Sequence, residues 1–245
     1  MTRRRWIADQ CSADRAWLTG EHARHLVRVL RAEAGQEFDI VTAGRLRRGT
    51  IIGVNEERVE FELGEEVAFA VAPSVTLFLA IYKFDRMEWA IEKCTELGVE
   101  RFVPVIARRT DAHLASAAVK RVERWRRIAR QAAEQSRRTS VPEVEDPAGL
   151  KDILGAGDVR IVLSESERQL LLRDAIRRSA PGEAEAGYGS RMVTLALGPE
   201  GGWAEDELQE FANAGWVSAT LGPTILRAET AAIAATVVVL SELAL

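Results

Sequence analysis

Apolar positions along the chain keep two rhythms, and the change between them falls near residue 72. Before it the runs are short and rich in β-branched and aromatic residues. Those at 38–41, 49–54 and 58–63 read as strands, parted by Gly44 and by Asn55-Glu56-Glu57. One helical stretch, about 20–29, interrupts them, and the whole segment predicts a small β-barrel. Ala72-Pro73-Ser74 marks the boundary. Beyond it an unbroken apolar run from Val75 to Ile81 predicts a strand buried on both faces. At 86–97 the period becomes helical: Met87, Ala90, Ile91, Cys94 and Leu97 share a face, and Gly98 ends the helix. Strands are expected at 102–105, 159–163, 192–197 and 216–221. Helices are expected at 118–136, 170–176, 205–214 and 227–243, and a Gly/Ala/Glu-rich loop at 181–190. Strand–helix alternation of this kind predicts an α/β fold with a mostly parallel sheet. The expected division is 1–72 and 73–245.

Composition narrows the class. The chain has 245 residues, 47% of them hydrophobic, enough for a buried core. Cys11 and Cys94 are far apart, and His22, His25 and His113 are the only histidines, so neither a disulfide framework nor a protein-held metal is expected. The basic start at Met1 is followed by no apolar stretch, so it does not read as a signal peptide. The most apolar run, 231–240, is too short for the roughly 20 residues a membrane span needs. A cytoplasmic protein with no membrane partner is expected.

The formal net charge of −4 conceals a strong asymmetry. Residues 101–140 carry eleven Lys/Arg against three Asp/Glu, whereas 141–245 carry eight against seventeen. The first 31 residues are also basic, with seven Arg against three acids. Two basic zones on an acidic chain fit a directed contact with a polyanion; they fit two solvated helix faces equally well.

Two segments carry the candidate chemistry: Leu197-Gly198-Pro199-Glu200-Gly201-Gly202-Trp203, and Leu221-Gly222-Pro223-Thr224-Ile225-Leu226-Arg227-Ala228-Glu229-Thr230-Ala231. Each follows an expected strand and precedes an expected helix. Loops at the carboxyl ends of parallel strands line the crevice where α/β folds bind ligands. Glycine lets main chain approach a ligand closely, and proline fixes the turn. Two such loops side by side can hold a flat base such as adenine through main-chain groups. A single Gly-Pro pair is otherwise an ordinary turn. Neither loop is a phosphate-binding P-loop, since no Gly-Lys-Ser/Thr follows, and Gly198 to Gly202 lacks the Rossmann glycine spacing.

These two segments resemble the C-terminal motifs of the RsmE family, within the SPOUT class of knotted methyltransferases. The resemblance extends upstream. Lys83-Phe84-Asp85-Arg86, Glu88, Lys93 and Glu96-Leu97-Gly98 resemble the family's first methyltransferase-domain motif. Glu134 to Arg138 with Val141-Pro142 resembles its middle motif. His25-Leu26, Val29-Leu30-Arg31 and Gly35 resemble its N-terminal PUA-like domain. The chain departs from the pattern at Thr224, where many relatives have Arg, and at Thr42-Ala43-Gly44, where Phe-Asp-Gly is frequent.

The resemblance implies methylation of uracil N(3) in 16S ribosomal RNA with S-adenosyl-L-methionine, by a homodimer acting on RNA within the small ribosomal subunit. It implies a PUA-like RNA-binding β-barrel at 1–72 and a SPOUT methyltransferase domain with a deep trefoil knot at 73–245. The cofactor would lie against Leu197, Gly198, Pro199, Glu200, Gly201, Gly202, Leu221, Gly222, Ile225, Leu226 and Thr230. Arg227 would stabilise negative charge on the uracil, or else pair with Glu229. Glu229 would accept the ring proton, or else serve as a structural partner. Arg3, Arg4, Arg5, Arg24, Arg28, Arg31 and Arg138 would contact RNA. The alternatives left open are ribose methylation of another RNA and a non-catalytic RNA-binding assembly factor.

Overall fold

A computed structural model describes residues 5–67, 74–138, 140–155, 157–179 and 192–243. The expected boundary at 72 and the loop at 181–190 lie outside them, as do Arg3 and Arg4. The chain forms two compact units, Met1–Ala70 with Ala133–Val141, and Val71–Ala132 with Pro142–Leu245.

The first unit is built on a six-stranded sheet. Its strands are β1 (Arg5–Ile7), β2 (Gln10–Cys11), β3 (Arg15–Thr19), β4 (Glu37–Thr42), β5 (Arg45–Val54) and β6 (Arg58–Glu66), in the order β1-β4-β5-β6-β3-β2. Only the β1–β4 pair is parallel. The expected helix begins as α1 (Gly20–Arg24) and widens into a π-helical turn, His25–Val29, before Arg31 turns the chain with a positive φ of 50°. Ala23 and Leu26 from this stretch meet Phe38, Ile40, Ile51 and Phe61 in the core. Gly49 is required in β5: a Cβ there would sit 2.4 Å from Ile40 Cγ1, beside a register shift in the β5–β6 pairing. The β4–β5 turn places Ala43 and Gly44 at φ 48° and 76°, as a two-residue hairpin with primed geometry needs. Strand β3 escapes the sequence reading because its inward residues, Ala16 and Leu18, include a small one that leaves a weak alternation.

The second unit carries the α/β pattern. Its strands are β7 (Ser74–Ala80), β8 (Arg101–Ile106), β9 (Glu143–Val144), β10 (Ala148–Gly149), β11 (Val159–Leu163), β12 (Met192–Leu197) and β13 (Val217–Ala219). The order is β10-β8-β7-β12-β11-β13, with β9 also on β8, and every pair is parallel. Its helices are α2 (Phe84–Leu97), α3 (Ala112–Ala118), α4 (Val122–Gln135), α5 (Leu150–Ile153), α6 (Leu172–Ser179), α7 (Glu205–Asn213) and α8 (Ala228–Leu243). Residues on opposite sides of β7 enter two different cores, as strand periodicity dictates. Leu77 and Leu79 join α2, α4, α6 and α8, whereas Phe78 and Ala80 join α5 and α7 through Phe211, Trp203 and Trp216. The helix expected at 118–136 begins as a 3-10 turn, Val119–Arg121, and continues as α4; ahead of it lies α3, which Asp111 caps by accepting from the His113 amide at 2.8 Å. The strand expected at 216–221 is shorter, because Thr220 turns from β11 to a bridge with Leu171 and Leu221 already belongs to a loop.

Candidate functional site

The carboxyl ends of β11, β12 and β13, with Arg86 of α2, open on one cavity of about 800 Å³. Leu197, Gly198, Pro199, Glu200 and Gly202 from the loop after β12 border the same space as Leu221, Gly222, Ile225 and Leu226 from the loop after β13. The topology explains the meeting. β12 and β13 both flank β11, so their carboxyl ends point the same way on neighbouring strands.

Local chemistry shapes both loops. In the first, the Gly202 amide donates to the Pro199 carbonyl at 2.8 Å, closing a turn in which Gly202 takes a φ of 69°. Gly198 packs against the turn's far side, where a Cβ would lie 3.2 Å from the Trp203 amide nitrogen. Two contacts hold the turn from outside. Arg109 Nη1 donates to the Gly201 carbonyl at 2.6 Å. The buried Glu207 carboxylate accepts from the Arg108 and Ala204 amides, each at 2.8 Å. In the second loop Thr220 Oγ1 folds over Gly222, which adopts a φ of 138°. Among the described residues, the main-chain groups of Leu221, Thr224, Ile225 and Leu226 form no hydrogen bond with the rest of the chain. They are therefore free to serve a ligand, between the apolar side chains of Leu163, Leu197 and Leu226.

The charged groups divide differently from the sequence reading. Arg227 borders the cavity, is exposed, and has no ion-pair partner among the described residues. Glu229 does not border it. Glu229 is buried, and its partner is Arg86, with Oε1 3.8 Å from the Arg86 Nε. The Arg227–Glu229 pair envisaged from sequence is not formed. Arg86 Nη1 also donates to Glu200 Oε1 at 2.7 Å. Glu229 Oε2 and the Tyr82 hydroxyl are buried without hydrogen-bond partners. Burial holds the Tyr82 hydroxyl well above its usual range, with Cys94, Glu229 and Glu200 adding to the effect. It also pushes the Cys94 thiol up to about 12, so that sulfur stays protonated and is no nucleophile.

Gly201 and Thr230 fall outside the cavity wall. A third loop, after β11, completes that wall through Ser164, Glu165, Glu167, Arg168 and Leu171. The sequence reading gave these no role; the available signal was their place at the end of an apolar strand. The Gln169 and Leu170 amides donate to Glu167 and hold its carboxyl below the usual range, so the wall keeps a negative charge. Among the described residues no three His, Cys, Asp or Glu side chains gather as metal ligands, and no helix is long and apolar enough to cross a membrane.

The basic residues are partly spent on the protein itself. Arg124 and Arg121 both reach Glu88, and Arg126 reaches Glu123 and Asp146. Arg127 is exposed with no ion pair among the described residues. In the first unit, Arg24, Arg28 and Arg31 are exposed on and just after one helical stretch, with Arg28 in a surface pair to Glu56. Arg5 donates to the Arg137 carbonyl at 2.5 Å, and Arg138 is half-buried in the same unit. His22 is clamped there between Asp9 and Glu134, each with an oxygen 3.0 Å away. The Asp9 carboxylate foremost, and then Glu134, raise the imidazole from 6.5 to about 10.

Comparison with known proteins is consistent along the chain. Residues 71–240 match the family model described as the RNA methyltransferase domain, and residues 18–64 that of the RNA methyltransferase PUA domain. Ribosomal RNA small subunit methyltransferase E of Bacillus subtilis is 32% identical over 87% of this chain and 85% of its own length. The protein of the same name from Aquifex aeolicus is 29% identical over 84% of this chain and 86% of its own. The crystal structure of that enzyme from Neisseria gonorrhoeae, bound to S-adenosyl methionine, superposes with a TM-score of 0.74. It is 30% identical and covers 96% of both chains.

Proposed function

The chain belongs to the RNA methyltransferase family, and on that premise we propose that it transfers a methyl group from S-adenosyl-L-methionine to N(3) of a uridine in 16S ribosomal RNA. The observation that carries the proposal is the single cavity shared by the two glycine–proline loops. Its lining fits the nucleoside part of the cofactor. The free main-chain groups of Leu221, Thr224, Ile225 and Leu226 offer donors and acceptors to an adenine edge, and Leu163, Leu197 and Leu226 offer apolar faces. When bound, the cofactor supplies an already activated methyl group, so no covalent enzyme intermediate is needed.

The protein's own task is to place the uracil nitrogen and to manage charge. Orientation of this kind is worth about 7–11 kcal/mol of barrier. Arg227 borders the cavity unpaired and stabilises the uracil carbonyl oxygens as the ring loses its proton. Glu229 takes that proton through an intervening water, its free Oε2 being its remaining acceptor. Gly201 supports the first cofactor loop, where its carbonyl accepts from Arg109.

RNA is held by the PUA-like β-barrel of residues 1–72 through Arg3, Arg4, Arg5, Arg24, Arg28 and Arg31, and by Arg138 from the basic block. Residues 73–245 form the methyltransferase domain, whose chain after Leu197 threads an earlier loop as a trefoil knot. The protein acts as a homodimer. Two exposed apolar side chains, Trp89 on α2 and Val237 on α8, support this, since these helices pack together and offer a face to a second copy. The cytoplasm is the expected compartment, where small ribosomal subunits are found.

Two measurements test the reading. Calorimetry should show S-adenosylmethionine binding at one site per chain; absence of heat would leave a non-catalytic RNA-binding factor. Small subunits from a strain lacking the modification should gain methyluridine with the mass on the base, by nucleoside mass spectrometry. Methylated ribose instead would overturn the base-methylation assignment.

A further inference from the structure

Lys83 to Arg86 stands out in the sequence, but nothing above gives Arg86 a task. It sits in the first turn of α2, just past the carboxyl end of β7, and its side chain is about a quarter exposed where it borders the cavity. Its guanidinium meets two carboxylates that arrive from distant parts of the chain. Nη1 lies 2.7 Å from Glu200, in the loop after β12, and Nε lies 3.8 Å from Glu229, at the head of α8. The two partners differ in kind. Glu200 is 42% exposed on the cavity wall, whereas Glu229 is 5% exposed behind it, with its second oxygen unpartnered.

We propose that Arg86 is the positioning residue of the cleft. By spanning Glu200 and Glu229 with one planar fork, it holds the glycine loop after β12 against the head of α8 and sets the width of the space between the two loops. This rests on the reading of that space as the S-adenosylmethionine site. The reason for arginine is geometric. Its planar guanidinium hydrogen-bonds Glu200 through Nη1 while Nε faces Glu229 at ion-pair distance, whereas a lysine ammonium is a point charge on a flexible stem. Glu229 alone would be an uncompensated buried charge, so Arg86 also neutralises it. These two duties, neutralising Glu229 and orienting Glu200, can be separated by substitution.

Arg86→Lys keeps the charge and loses the fork. The double substitution Arg86→Gln with Glu229→Gln removes the buried charge and its counter-ion together. Both variants are expected to melt within a few degrees of the parent. Both are expected to bind S-adenosylmethionine at least tenfold more weakly by calorimetry, because Glu200 has lost its orienting partner. Arg86→Gln alone, which strands Glu229, is expected to melt much lower, and adding Glu229→Gln is expected to restore it. If Arg86→Lys or the folded double variant binds the cofactor as tightly as the parent, Arg86 serves folding only and the proposal is overturned. Failure of the unsubstituted protein to bind S-adenosylmethionine overturns the site reading, and with it the role of Arg86 there.

Discussion

Glu207 offers a sharp test of how the first cleft loop is held. Its buried carboxylate accepts one amide from the segment after β8, at Arg108, and one from the start of α7, at Ala204, both at 2.8 Å. The Ala204 contact satisfies an amide that the first turn of α7 leaves without an intrahelical partner. Hydrogen bonds to a charged acceptor contribute about 1.5–3 kcal/mol each. Both amides are only partly buried and can recruit water, so the low end of that range applies. Glu207→Ala should therefore cost about 3 kcal/mol and Glu207→Gln about half as much, because glutamine retains one acceptor oxygen. The neighbouring Arg108–Asp206 pair is exposed and contributes little to either value. Urea unfolding followed by tryptophan fluorescence measures the difference, since Trp203 and Trp216 lie in the adjoining core. Loss of the anchor should also weaken S-adenosylmethionine binding several-fold. The reasoning fails if Glu207→Ala costs under about 1 kcal/mol, or if alanine and glutamine are equivalent.

Other tests follow from the same structure. His22 carries its extra proton in the folded state, so its contribution to stability is complete below about pH 6.5 and disappears as the pH rises towards 10. The shift sets a ceiling of about 5 kcal/mol, and with the ring one-fifth exposed solvent screening brings this to about 2 kcal/mol. Denaturant titrations from pH 6.5 to 9 should show that decline in the parent and not in His22→Gln; parallel curves would contradict it. Gly222→Ala should cost about 1–3 kcal/mol from backbone strain alone, because an added Cβ meets nothing within 4 Å; a neutral melting temperature would argue against the positive φ. Arg227→Ala should leave cofactor affinity unchanged and lower kcat about 100-fold; unaltered kcat would remove it from the chemistry.

Much of the second unit was legible because parallel strands buried on both faces write themselves as unbroken apolar runs. Val159–Leu163 and Met192–Leu197 fall where the sequence reading expects them, and both glycine–proline loops follow strands. The first unit was less legible: β1 and β2 are two or three residues long, too short for any periodicity to register. Local pattern also cannot distinguish a helix with free basic residues from one whose arginines are already paired. It takes the packing of α2 near α4 to show Arg121 and Arg124 both directed at Glu88.

The sequence by itself determined where the chain must turn and which segments must be buried, because hydrophobic period and the special dihedrals of glycine and proline act over a few neighbouring residues. Only the tertiary structure decided which side chains meet. Arg86, Glu200 and Glu229 are separated by more than a hundred positions between the first and the second, and the parallel sheet brings them within 4 Å. Glu229 pairs with Arg86 and not with Arg227, two positions away, because Arg227 precedes α8 on the cavity wall whereas Glu229 is buried in the first turn of that helix. Charge pairing follows distance in space, and that distance is set by strand order.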